Sequence, residues 1–409
     1  MIYLDYSATT PLDPAVLKKM LPYFSRDFAN PASIHSVGQS VLKAVEDARH
    51  DLAKVLDLKA SELIFCSGAT EANNLAIQGL AKALRAKGDK RNHIITSVIE
   101  HDSILEPLHA LEKYGYKVTC LPVNKDGVIS LGSLEAAITD QTMLVSIGFI
   151  NSEVGSIQPL SKIGRLIRKI NERRMKEWLN TQTRKRGVKP QPIYFHSDAT
   201  QAANYFSCSA KLLNVDMLSF SGHKVFGPKG IGLLTVKRDT PLEALLYGGH
   251  QERNLRSGTL NVPAIIGFAD AFVRAQKNYK KSNLAVTLLK NYFARELKKA
   301  IPQIKESINL GSVSASHANF LFKGVSGDAL VAALDEVGVA ASTGSACASG
   351  DLSASHTITG LGYNEQEARS ALRFTLSRLN TKKELKIAVT RIKQAYKNSI
   401  QRFEKASKA

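Results

Sequence analysis

"DMLSFSGHKVFGPKGIGLLTVKR" (residues 216–238) sets two apolar runs on either side of a turn built largely from small residues, with His223 and Lys224 just past the end of the first run. Short apolar runs bounded by glycine and proline read as buried strands. The turn between them holds an ammonium on a long stem among Ser219, Ser221, Gly222 and Gly227. Small neighbours let a planar ligand approach, and a lysine in a partly desolvated pocket is a Schiff-base former. The embedded "GPKGIG" is not a dinucleotide fingerprint, because its glycines are in the wrong order and it precedes a strand where the fingerprint needs a helix.

Outward from this turn, "LIFCSG", "HIITSVIEH", "TMLVSIGFI" and "PIYFHSDAT" repeat the strand pattern, with helically spaced segments such as "TEANNLAIQGLAKALRA" and "PLSKIGRLIRKINERR" between several of them. Strands apolar throughout and alternating with helices predict a mostly parallel sheet covered on both faces, an α/β core. After about residue 265 the chain becomes more helical, with candidate strands "HANFLFKG" and "ALRFTLS". Thr381 and Glu384 have capping-box spacing, and Leu385, Val389, Ile392, Tyr396, Ile400 and Phe403 then share one face of a closing amphipathic helix.

At 409 residues and 44% hydrophobic content the chain can bury a large core and a smaller companion domain. No apolar run reaches the roughly 18 residues of a membrane span, and the start lacks the pattern of a secretory signal, so the expectation is a cytoplasmic protein without a membrane partner. The four cysteines, Cys66, Cys120, Cys208 and Cys347, are far apart, which excludes a disulfide framework or zinc ribbon. Cys120 and Cys208 read as small packed apolar residues. The net charge of +19 raises the question of an acidic partner. Much of it lies in residues 171–192, read as a surface insertion, and after Ser377. No nucleic-acid motif accompanies these runs, so a solvated surface is favoured over direct nucleic-acid binding.

A Schiff-base lysine needs a cofactor, and pyridoxal 5'-phosphate asks for three more things: an acid opposite its pyridinium nitrogen, a phosphate cradle and a partner for the ring face. Asp198 of "YFHSDATQ" ends an apolar strand, where open α/β sheets place their ligand crevice. Standing alone, it reads equally well as an exposed helix cap. In "CSGATEANNLAI" a strand ends, Gly68 turns the chain, and Ala69 and Thr70 open a helix whose free N–H groups suit a phosphate.

Together these pieces resemble the cysteine desulfurases, the nitrogenase-associated and housekeeping iron–sulfur group of the class V aminotransferases, which are fold-type I pyridoxal-phosphate enzymes. The blocks run in order through nearly the whole chain: "YLDYSATTPLDP", "NPASIHSVGQ", "SGATEANNLAI", "IEHDSILEP", "INSEVGSIQPL", "HSDATQ", "SFSGHKVFGPKGIG", "RSGTLNVPAIIGF", "GSACAS" and "LRFTLSR". The resemblance implies a large cofactor-binding domain over residues 16–265, a seven-stranded, mostly parallel sheet between helices. A smaller α+β domain would be formed by 1–15 and 266–409 and carry a loop at about 342–360.

The resemblance further implies that Lys224 holds the cofactor, Asp198 pairs with its ring nitrogen and His101 stacks on the ring. Gln201 and Asn151 would bond near the phenolic oxygen. Ala69, Thr70, Ser221 and His223 would hold the phosphate, with Thr259 reaching in from the second subunit of a homodimer. Asn151 and Arg373 would bind the substrate, Arg373 gripping its carboxylate with a guanidinium fork suited to that shape.

Cys347 separates a desulfurase from transaminase relatives. It lies in "ASTGSACASGDLSASHTITG", a loop poor in large apolar groups and expected to be mobile enough to bring its thiol to the cofactor. The implied reaction takes L-cysteine to L-alanine and leaves a persulfide on Cys347, for delivery to an acceptor protein such as an iron–sulfur scaffold or a tRNA-thiolation enzyme. Two alternatives stay open: a selenocysteine lyase, and a basic RNA-binding or scaffold protein with a vestigial cofactor site.

Overall fold

The computed structural model describes residues 1–181, 189–344 and 354–406. Twelve strands lie among them: β1 (Ile2–Tyr3), β2 (Leu63–Cys66), β3 (His93–Ser97), β4 (Lys117–Leu121), β5 (Thr142–Ser146), β6 (Tyr194–Asp198), β7 (Met217–Ser221), β8 (Gly232–Val236), β9 (Lys305–Glu306), β10 (His317–Leu321), β11 (Val339–Ala340) and β12 (Ala371–Thr375). Seven of them form the main sheet in the order β2-β8-β7-β6-β5-β3-β4. From β7 to β4 every pairing is parallel, while β8 runs antiparallel to both β7 and β2. The expected α/β architecture is therefore present, with one reversed strand.

Both faces of this sheet are buried, as continuous apolar strands require. Along β2, Leu63 and Phe65 enter one core with Val45 and Leu52, while Ile64 and Cys66 enter another with Leu80 and Leu84. The edge strand β4, "KVTCL", is absent from the strands read from sequence, because only Leu121 in it is buried. Cys120 on this strand is exposed, not packed as its apolar neighbours suggested, whereas Cys208 is buried.

A third core is built from β10 and β12, their helices and the start of the chain. Phe374 is its hub, with ring centroids of Phe293, Phe320 and Phe322 at 5.3, 6.4 and 6.3 Å. The 39-residue helix Val262–Ala300 serves two cores: Ile265, Phe268 and Phe272 pack with the main sheet, and Val286, Phe293 and Leu297 with this third one. The closing helix Lys382–Ala406 starts with the expected capping box: the Thr381 N–H donates to the Glu384 carboxylate (2.8 Å), and the Glu384 N–H to the Thr381 hydroxyl (3.2 Å). Leu385, Val389, Ile392 and Tyr396 face the core as their spacing predicts.

The basic segment expected to be an insertion begins as helix. Leu160–Thr181 continues without a break through its first half, turning Arg173 and Lys176 to solvent; residues 182–188 lie outside the described part.

Lys290 in the third core donates to the carbonyls of Leu310 (2.8 Å) and Ser314 (3.1 Å), and burial pushes its ammonium down to about 8. Between that value and about 10.4 the unfolded lysine holds a proton that the folded one has released. Lys290 therefore adds stability as pH rises through that window, and opposes folding below it. Lys290→Met is expected to remove this rise, on the order of 3 kcal/mol between pH 8 and 10.5, in urea denaturation curves compared across that range. An unchanged pH slope would contradict the reading.

Candidate active site

β2 and β7 are both antiparallel to β8, so β2 points the same way as β7, β6, β5 and β3. The five carboxyl ends thus share one edge of the sheet, where open α/β sheets bind ligands. The segments leaving them, Ser67–Thr70, Ile99–Ser103, Gly148–Glu153, Asp198–Gln201 and Ser221–Lys224, line one cavity of about 690 Å³. Ser7–Thr9, Arg373, Lys229, Gly344 and Ala354–Thr357 add to its wall.

The lysine turn is held from both sides. Gly222, His223 and Lys224 form one 3₁₀ turn after β7. The N-terminal segment crosses it: Thr10 donates to the His223 carbonyl through its N–H (2.9 Å) and hydroxyl (2.8 Å). Lys224 Nζ donates to the carbonyls of Ser7 and Ala8, the latter at 2.8 Å. Glycine is needed here for backbone approach more than for ligand access. A Cβ at Gly232 would sit 2.5 to 2.7 Å from Gly68 and the Phe220 carbonyl, so its absence lets β8 press against the turn that opens the helix at Ala69. Burial pushes His223 down to about 4, helped by Lys224 and Lys229, so its ring is neutral at pH 7 beside the Thr9 hydroxyl (3.1 Å).

Asp198 ends β6 with both carboxylate oxygens engaged. Oδ1 accepts from the Thr200 N–H (2.9 Å) and Oδ2 from Asn73 Nδ2 (2.8 Å). Asn73 also donates to Ser103 Oγ (2.8 Å), which is 2.9 Å from His101 Nδ1. Since the Ser103 N–H also donates to Nδ1 (3.0 Å), a neutral His101 carries its proton on Nε2. Asn73 stands one helical turn beyond Ala69, a polar residue on the inward face. That spacing was the signal for it, and reading the block only for its phosphate cradle passes it over.

Glu100 was also missed. It is buried, accepts from Ser97 Oγ (2.6 Å) and the Gly148 N–H (2.9 Å), and burial pushes its carboxyl up to about 7, with Asp198 adding to the effect. Gln201 Nε2 donates to Ser7 Oγ (2.9 Å) and Asn151 Nδ2 to the Ile99 carbonyl (2.7 Å). Arg373, buried on β12, pairs through Nη2 with Asp5 (2.8 Å) and through Nη1 with the Ser152 carbonyl (2.9 Å). Its Nε has no hydrogen-bond partner among the described residues.

Ten of the twelve residues singled out from sequence therefore line one cavity: Ala69, Thr70, His101, Asn151, Asp198, Gln201, Ser221, His223, Lys224 and Arg373. Thr259 does not. Within its own chain it lines a separate concavity with Asn30, Gln39, Arg49 and Arg253. Cys347 lies outside the described residues. Gly344, three positions earlier, lines the cavity, and three extended residues span at most about 10 Å, which bounds the distance of Cys347 from that wall.

Pyridoxal phosphate fits this arrangement. No described side chain caps the helix at Gly68, which leaves the N–H groups of Ala69 and Thr70 for an anion beside Ser221 and the neutral His223. Asp198 would supply the acid, Lys224 the amine and His101 a ring face, all three lining the same cavity. Thr200 Oγ1 is buried beside Asp198 without a partner among the described residues.

The Aminotransferase class-V family model matches residues 2–173 and 181–387, and the chain belongs to that family of pyridoxal-phosphate enzymes. The break in the match falls in the basic stretch at the end of the helix Leu160–Thr181. A cysteine desulfurase IscS of Clostridium botulinum is 39% identical over 386 residues, 94% of this chain and 91% of the relative. The solved structure of a NifS-like protein superposes with a TM-score of 0.86 at 30% identity, covering 97% of this chain and 99% of the other. SspA in complex with cysteine gives 0.76 at 34%, covering 93% and 100%. Within the family, the chain is a cysteine desulfurase.

Proposed function

We propose that this cavity converts L-cysteine to L-alanine and passes the sulfur to Cys347. The observation that carries the reading is the convergence of five strand ends on one cavity, which gathers Lys224, Asp198, His101 and Arg373 and is also lined by Gly344, three residues before Cys347.

Bound pyridoxal phosphate supplies an electron sink for the substrate's α-carbon. Lys224, whose ammonium lies at the cavity wall, would hold the cofactor and would serve as the base for the substrate's α-proton. Asp198, fixed by Thr200 and Asn73, keeps the ring nitrogen protonated, since a carboxylate beside a cation favours the charged form of both. His101, its orientation fixed by Ser103 at Nδ1, would stack its ring on the cofactor and take part in proton transfer. Asn151 and Gln201 serve near the phenolic oxygen, and Asn151 with Arg373 receives the substrate.

The Cys347 thiolate then attacks the substrate sulfur. A sulfur–sulfur bond forms as the carbon–sulfur bond breaks, the electron pair goes to the carbon side, and protonation there yields alanine. The sum is cysteine plus enzyme thiol to alanine plus enzyme persulfide, with no outside oxidant or reductant.

Thr259 completes the phosphate site of a second copy. Its place in a separate concavity of its own chain supports this, as do the nearby exposed apolar side chains Ile34 and Val37. The homodimer so formed hands its persulfide to an acceptor protein of iron–sulfur cluster assembly or tRNA thiolation. A cytoplasmic setting agrees with the widely spaced thiols. Among the described residues, no helix is long and apolar enough to cross a membrane.

Two measurements test the reading: alanine released per cysteine consumed, and the response to Arg373→Lys. The lysine keeps the charge and loses the fork, and losing one charge-assisted hydrogen bond raises KM for L-cysteine roughly ten- to hundredfold with a smaller effect on kcat. An unaltered KM, or cysteine consumed without alanine, would count against it. Comparing turnover of cysteine and selenocysteine separates a desulfurase from a selenocysteine lyase.

A further inference from the structure

Glu153 is a carboxyl group buried in the cavity wall. Its Oε2 accepts from the Ser355 hydroxyl (2.7 Å), while Oε1 has no hydrogen-bond partner among the described residues. Burial pushes the acid upward, opposed by Ser355, Arg373, His356 and the Thr357 side chain. An apolar side chain would fill this space without the cost of desolvating a carboxyl. A buried polar group left incompletely satisfied beside a site calls for a functional explanation.

What Glu153 touches supplies one. A Cβ at position 344 would fall 1.7 Å from the Glu153 carboxyl carbon and 1.9 Å from Oε1, so only glycine fits against this acid. Ser355, which donates to it, caps the helix His356–Gly360 by accepting from the Ile358 N–H (3.2 Å). Gly344 adjoins the segment that contains Cys347 on one side, and Ser355 follows it on the other after Ala354. On the pocket side, the Glu153 N–H donates to Asn151 Oδ1 (2.9 Å), which ties this acid to a residue of the site itself.

We propose that Glu153 is a positioning residue for sulfur transfer: its buried carboxyl group holds Gly344 and Ser355 against the cavity wall and so sets where the Cys347 thiol meets the substrate. This rests on the desulfurase reading above. Since Cys347 lies within about 10 Å of Gly344 for any conformation of the three intervening links, displacing Gly344 displaces the whole range the thiol can reach. Loss of the clamp therefore slows the thiol's attack while cofactor and substrate still bind.

The test measures persulfide appearance at Cys347 by rapid quenching and mass spectrometry in the dimeric holoenzyme, alongside KM for L-cysteine, the cofactor's visible absorbance and the melting temperature. Glu153→Ala is expected to slow persulfide formation about tenfold or more with KM and absorbance held within about threefold. Glu153→Gln, which keeps an oxygen toward Ser355 and the same volume, recovers most of the rate. Gly344→Ala alone reproduces the loss, and the double variant Glu153→Ala/Gly344→Ala is no slower than the worse single variant, the coupling expected of two groups in contact. Should Glu153→Ala fail to fold, Gly344→Ala carries the comparison. Persulfide formation within about twofold of the parent in Glu153→Ala or Gly344→Ala, or a loss of cofactor absorbance with a parallel rise in KM, overturns the proposal. If the parent enzyme itself forms no persulfide at Cys347, the desulfurase reading fails instead.

Discussion

Lys224→Ala is expected to lose both the covalent hold on pyridoxal phosphate and the base for the α-proton, and turnover of L-cysteine should fall on the order of 10⁴-fold. The visible absorbance of the lysine-bound cofactor should disappear with it. The magnitude follows from the position of the side chain. Its stem rises from a 3₁₀ turn held by Thr10 and by the packing of β8, and its ammonium already meets the carbonyls of Ser7 and Ala8 at the cavity wall. No other described lysine lining the cavity except Lys229 is available to replace it, and Lys229 follows the turn by five residues. Because the hydrogen bonds removed are to carbonyls in a partly buried segment, the variant should still fold, so circular dichroism and dimer size separate loss of chemistry from loss of structure. A surviving absorbance band after dialysis would move the anchor elsewhere.

The second large effect belongs to Cys347. Cys347→Ala should retain the absorbance of the bound cofactor and its change on adding L-cysteine, since none of the residues proposed to hold cofactor or substrate is altered. Alanine production should nevertheless fall by at least about 10²-fold, the scale of losing a positioned reacting group. Equal alanine release from both proteins would remove Cys347 from the mechanism.

Much of this was legible in sequence because the chemistry sits at strand ends, where continuous apolar runs stop at polar residues. Asp198 after "YFHS", Gly68 after "LIFCS" and Lys224 after "LSFSG" are each marked by such a boundary. Less legible were groups whose role arises from distant packing. Glu100 and Glu153 look in sequence like ordinary surface acids, and only folding surrounds them with β-strand ends and the flanks of the Cys347 segment. The crossing of Ser7–Thr10 over the lysine turn joins residues more than 200 positions apart, a contact no local pattern encodes. The edge strand β4 and exposed Cys120 escaped for the opposite reason, since a strand with one buried residue carries little hydrophobic signal. The glycines around Lys224 were noticed, but their use in backbone packing required the antiparallel strand β8 to be in place.

The central claim is that an amine, an acid facing the cofactor and a thiol brought from Gly344's side of the wall act on one bound molecule of cysteine. It is tested most directly by mass spectrometry of the peptide containing Cys347 after brief incubation of the holoenzyme with L-cysteine and no added thiol. The prediction is one extra sulfur atom on Cys347, with alanine formed in equal amount. Sulfur accumulating on Cys66, Cys120 or Cys208 instead, or alanine formed while Cys347 stays unmodified, would contradict it.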